Sequence, residues 1–199
     1  MSNFFELNEY VIDEKVRPFK MENAYLIHDI NGEMVGAVEQ HISGGGKAAR
    51  VLFGRTAKTF QKFNLNILDA EGNVLITMDR EGRIGMKGYT VLIKEPSGNV
   101  LGKVAPKLSF KSVIFHIYDA SENVVGILNG KLLGINYTIQ NPDETQIGTI
   151  NKDFSNVARE IFTSADKYRV SLTGSVEKEK KLLITAAAVA IDMLLHEIR

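Results

Sequence analysis

The hydrophobic residues of this chain fall into short alternating runs, and the runs come in pairs. Five times an aromatic residue opens an alternating segment, an acid or amide ends it, and a second segment returns after a turn. The copies run from Tyr25 through Asp29, Asn31, Gly32 and Gly36, and from Phe63 through Asp69 and Gly72. Three more run from Tyr89 through Glu95, Pro96, Gly98 and Gly102, from Phe115 through Asp119 and Gly126, and from Tyr137 through Asn141 and Gly148. Alternation with period two, bounded by turn residues, predicts a β-hairpin for each copy. Tyr25 and Ile27, like Phe115 and Ile117, then share a face that should point inward. In the returning strands Gly102 falls in step with Val100 and Val104, and Gly126 with Val124 and Leu128. Glycine on that face predicts a close approach by whatever fills the core.

A different pattern closes the chain. From Leu182 to Leu195 the residues are apolar on every helical face, with Asp192 inside the run. A membrane span needs about 20 apolar residues, and this run has 14. It predicts a central buried helix over 179–198, covered on all sides. Lone hairpins are marginal in water, so the five must share one core, and a closed β-barrel around the helix satisfies both needs. Lys178, Glu179, Lys180 and Lys181 read as a solvated start to the helix, and His196, Glu197 and Arg199 as a polar exit. Phe154, Val157, Ala158, Ile161 and Phe162 recur at helical spacing and predict a short amphipathic helix, and Tyr168 to Leu172 a final strand. The whole, 1–199, reads as a single domain with 1–20 as an N-terminal segment.

Charge changes the picture only through its distribution. Lys plus Arg and Asp plus Glu both number 24, which gives no bulk argument for a nucleic acid partner. Residues 41–111, however, carry twelve bases and five acids. Lys47, Arg50, Arg55, Lys58 and Lys62 fall in a stretch without an acid, and Arg80, Arg83, Lys87, Lys103, Lys107 and Lys111 follow. They are the candidate site, and they equally fit solvated cations scattered over alternate strand faces. The absence of cysteine excludes disulfides and thiolate chemistry. An acidic N-terminus in place of a signal sequence predicts a cytoplasmic protein.

Catalytic patterns are not seen. His28, His41, His116 and His196 lack metal-ligand spacing. Ser43, Gly44, Gly45, Gly46 and Lys47 lack the upstream glycine and following hydroxyl of a phosphate loop. Asp29, Asp69 and Asp119 occupy turn positions, where their carboxylates stabilise the turn. Asp192 is out of place in an apolar helix and is expected to be paired or hydrogen-bonded near the barrel end. No enzyme and no cofactor are expected.

The stretch Gly148 to Tyr168, with its Phe162-Thr163-Ser164-Ala165-Asp166 element, and Ala190-Ile191-Asp192 in the terminal run resemble the C-terminal half of phospholipid scramblases. They also resemble bacterial scramblase relatives and, more distantly, the Tubby-like and LURP-one-related group. The resemblance implies a mainly β fold, a closed antiparallel Tubby-like β-barrel of about 12 strands around the hydrophobic C-terminal helix. It implies a lipid-binding module, with phospholipid scrambling as its strongest form, peripheral at the inner membrane surface. Anionic phospholipid or phosphoinositide head groups would be the ligands, and Lys47, Arg50, Arg55, Lys58, Lys62, Arg83 and Lys87 the residues that meet them. The alternative is a soluble LURP-one-like interaction domain with a protein partner and no membrane activity. In animal scramblases a calcium segment is proposed to begin at the position of Asp166. Here Lys167 and Arg169 intrude and no carboxylate follows before Glu177, so calcium binding at Asp166 is expected to be weak or absent.

Overall fold

The five acid or amide positions act as local clamps. Asp29 accepts the backbone N–H groups of Asn31 and Glu33 on Oδ1, both at 2.9 Å. Asp69 does the same for Glu71 and Asn73 at 3.0 and 2.8 Å, and Asp119 for Ser121 and Asn123 at 2.8 and 2.9 Å. Each clamp pairs its own N–H with the carbonyl four residues on, as in Asp29 to Glu33 and Asn141 to Thr145. The fourth residue of each turn has a positive φ: Gly32, Gly72 and Gly98 in three copies, Glu122 and Glu144, both at 66°, in the others.

The computed structural model describes residues 4–14, 23–40, 63–80, 89–108, 113–130, 136–151 and 167–198. Five hairpins follow from the clamps: β2 (Asn23–His28) with β3 (Met34–Gln40), β4 (Phe63–Asp69) with β5 (Val74–Arg80), and β6 (Val91–Lys94) with β7 (Val100–Leu108). The others are β8 (Val113–Asp119) with β9 (Val124–Gly130) and β10 (Asn136–Gln140) with β11 (Gln146–Asn151). Two further strands, β1 (Glu9–Glu14) and β12 (Lys167–Leu172), pair with each other and close the barrel. All neighbours are antiparallel and consecutive, so the sheet is a closed twelve-stranded meander among the described residues. β1 lies inside the segment 1–20, for which the hairpin repeat predicted no strand.

Helix α1 (Lys178–Ile198) fills the bore. An eight-stranded barrel is filled by its own side chains, whereas twelve strands leave room for a helix about 10 Å across. Leu182 through Asp192 are all buried, and the alanines at 186, 187, 188 and 190 keep the helix slim. Inward strand residues such as Ile27, Ile67, Ile93, Phe115, Ile117 and Ile139 pack round it. Burial of each such aliphatic or aromatic side chain contributes about 1.5–3 kcal/mol. Polar contacts from three helix residues set the helix against the first strands and the segment before them. The Lys181 ammonium donates to the carbonyl oxygens of Phe5 and Leu7 at 2.6 and 2.5 Å. Thr185 Oγ1 lies 2.6 Å from Tyr10 Oη, and Tyr25 Oη donates to Asp192 at 3.0 Å. Asp192 is thus hydrogen-bonded, as expected for a carboxyl in that helix.

Two expectations are corrected here. Every hairpin carries a register shift one residue before its turn acid or at the adjoining step, at Ile27/His28, Ile67/Leu68, Ile93/Lys94, Ile117/Tyr118 and Ile139/Gln140. The extra residue breaks the alternation, so Val100 is 45% exposed instead of sharing the inward face of Gly102. The glycines, in turn, serve mainly the neighbouring strand. A Cβ at Gly36 or Gly148 would strike the carbonyl oxygen of Leu68 or Ser171, whereas at Gly102 a helix atom, Leu183 Cδ2 at 3.1 Å, also stands close.

Candidate functional site

Strand order sorts the chain into two ends. Because each strand pairs with its neighbour in sequence, the five clamped turns all lie at one end, and the intervals 15–22, 41–62, 81–90, 109–112, 131–135 and 152–166 join strand ends at the other. The helix marks the two ends independently. Near its start, Lys180 Nζ donates to Asn141 Oδ1 in the last turn at 2.6 Å, and near its finish Tyr89 Oη donates to the Ala190 carbonyl.

The charges divide the same way. The five turns, 29–33, 69–73, 95–99, 119–123 and 141–145, hold nine acids and no base. The six connecting intervals hold fourteen bases and five acids. Hydrogen bonds favour the ionised form at Asp119 and Asp143. The Asn123 side-chain amide, then its backbone N–H, keep Asp119 below the usual carboxylate range, and the Thr145 hydroxyl does so for Asp143.

Lys47, Arg50, Arg55, Lys58, Lys62, Arg83, Lys87 and Asp166 lie outside the described residues, as does the amphipathic helix expected around Phe154 to Phe162. The strand ends that flank them, Gln40 and Phe63, Arg80 and Val91, Asn151 and Lys167, belong to the connection end. Arg80 leaves the expected basic surface. It is 3% exposed, points into the barrel and sets its guanidinium 4.2 Å from the Tyr89 ring centroid. Lys181 likewise is no part of a solvated helix start, being 2% exposed with its ammonium on two carbonyls. Burial lowers its pKa. Lys103 and Lys107 do lie on the outer face. Lys15, Arg17, Lys20, Lys131, Lys152 and Arg159 fall in the other connecting intervals, outside the described residues.

The scramblase family model matches residues 11–197. The chain belongs to the scramblase family. Among solved structures, an Arabidopsis thaliana protein is similar in fold at 12% identity, with a TM-score of 0.55 over 92% of this chain and 88% of that one. No curated protein matches. The expected closed antiparallel β-barrel around a C-terminal helix is therefore the fold of this scramblase-family chain.

No helix among the described residues of this scramblase relative is long and apolar enough to cross a membrane. Nor do three or more His, Asp or Glu side chains converge there as a metal site. Calcium calls for six to eight oxygens. Among the described carboxylates of β1, Asp13 is engaged by Lys167 at 3.4 Å and Glu9 by Arg169. No calcium-dependent step is assigned.

Proposed function

We propose that this scramblase-family chain is a lipid-surface module that docks on anionic membranes with its connection end, at the inner surface of the cell membrane. The observation that supports this reading is the division of charge, with fourteen bases against five acids in the connecting intervals and nine acids without a base in the turns. A barrel so polarised is attracted at one end and repelled at the other by an anionic surface. Each cation close to such a surface contributes about 1 kcal/mol, so several together give reversible attachment. The ligands are anionic phospholipid or phosphoinositide head groups, with Lys47, Arg50, Arg55, Lys58, Lys62, Arg83 and Lys87 as the contacts.

Transport of lipid across the bilayer is a further step. It needs a polar path, and the bore is filled by buried residues from Leu182 to Ile191. The proposal therefore stops at the surface. Co-sedimentation with vesicles tests it. Binding to anionic vesicles, absent with neutral ones and weakened between low and physiological salt, is the expected outcome, because exposed charges are screened over about 8 Å at physiological ionic strength. Indifference to both kinds of vesicle would overturn it in favour of a soluble interaction domain.

A further inference from the structure

The barrel wall is as uneven as its ends. On β1 to β5 the strands carry Glu9, Asp13, Glu14, Glu39, Asp69 and Asp79, whereas from β6 to β11 the only carboxylate in a strand is Asp119, at the turn itself. On the outer face of β7, β8 and β9 the pairing sets Lys103 beside Tyr118, and His116 beside Ile127. Lys107 stands beside Ile114, and this last pair is nearest the connection end. Tyr118, Ile114, His116 and Ile127 are half-buried and Lys107 is exposed. The Lys103 ammonium lies 5.0 Å from the Tyr118 ring centroid and pairs with Glu122 at the tip of the turn.

Aliphatic side chains, a tyrosine and lysines, with carboxylates confined to the turn end at Asp119 and Glu122, match the boundary of an anionic bilayer. There an aromatic ring rests between apolar and wet layers, and lysine stems lie along apolar matter with their heads in water. An acidic protein partner would need the cations but not the aliphatics. We propose that the outer face of β7 to β9 is the lateral part of the membrane contact, so that the barrel lies tilted on the bilayer with Ile114 and Ile127 at head-group depth. The inference rests on the lipid-surface reading and gives it an orientation.

His116 makes the contact responsive to pH. Burial first, and then the charge of Lys107, keep its pKa below 6.5. The charged and titratable groups that face it are Lys107 and Lys103 across β7 and Tyr118 on its own strand, whose hydroxyl lies 3.5 Å from His116 Nδ1; β9 offers only Ile127 and Asn129. At pH 7 the ring is therefore neutral, and an anionic surface favours its proton. A surface potential of about −30 mV raises the pKa by about half a unit, so binding strengthens roughly threefold as the pH falls through it.

The chain has no tryptophan, so one introduced residue reports cleanly. Ile114→Trp, with Ile127→Trp as a second reporter should the first fail to fold, is mixed with phosphatidylserine-containing vesicles carrying brominated lipid. Asn66→Trp on β4, four strands round the barrel, is the control. The expected result is at least twofold quenching for the first two and none for the control. Vesicles that pellet the protein while Ile114→Trp and Ile127→Trp stay unquenched would overturn the lateral contact and leave the lipid-surface reading standing. Failure to pellet at all would overturn both. Equal pH dependence in His116→Asn and the parent would remove His116 from the proposal.

Discussion

The two ends of the barrel are built on opposite plans. At the turn end, five short loops repeat one design, an acid or amide whose N–H pairs with the carbonyl four residues on and a fourth residue with positive φ. At the connection end, intervals of 4 to 22 residues share no common pattern and collect the cations. At the first end Asp29, Asp69, Glu95, Asp119 and Asp143 use their carboxylates within their own turns. Rigid scaffold with variable loops at one rim is the usual division between stability and binding, and here the division also separates charge by sign.

That contrast can be broken. The largest expected effect is at the scaffold. Gly102→Ala drives a methyl into the Tyr118 carbonyl and against Leu183, and should cost more than about 3 kcal/mol in urea unfolding. Gly126→Ala meets only the Ile117 side chain, at 3.2 Å, and should cost about 1 kcal/mol or less. Comparable in size but opposite in kind is the triple change Arg50→Gln, Arg55→Gln and Lys58→Gln. It should weaken vesicle binding about a hundredfold, at about 1 kcal/mol per cation, and leave the unfolding midpoint in place. A triple variant that loses stability instead would erase the distinction between the ends.

Smaller effects sharpen it. Asp192→Asn or Tyr25→Phe disturbs a buried hydrogen bond to the helix and should cost about 1–2 kcal/mol without changing vesicle binding. Binding lost in a folded Asp192→Asn protein would place that carboxyl in the lipid site. The acid limb of the stability curve probes the turns. Asp119 has its pKa depressed below 3.8 in the folded state, so its contribution is present above 3.8 and is lost as the pH falls through the folded value. Asp119→Ala should flatten that limb in unfolding measured from pH 6 to pH 2. Smallest is Glu144→Gly, which relieves a positive φ at 66° and should gain about 0.5 kcal/mol.

Much of the scaffold was legible because its causes are local. An aspartate reaching N–H groups two and four residues on needs no distant partner, so the turns could be read directly from Asp29, Asp69 and Asp119. The apolar run from Leu182 likewise declares that it must be surrounded. The site was legible only as composition. Its cations could be counted, but which of them share an end depends on strand order.

Chain chemistry by itself thus determined the hairpins, their clamps, the buried helix and the need for a closed wall, since alternation, turn capping and the burial of an all-apolar helix follow from neighbouring residues. Tertiary structure alone decided that β1 closes the barrel against β12, that bulges turn Val100 outward, that Arg80 and Lys181 point in, and that the strand ends flanking the connecting intervals share one end of the barrel. Each of these depends on which strands meet across the closed sheet, a relation between residues as far apart as Glu9 and Ser171 that no local pattern encodes.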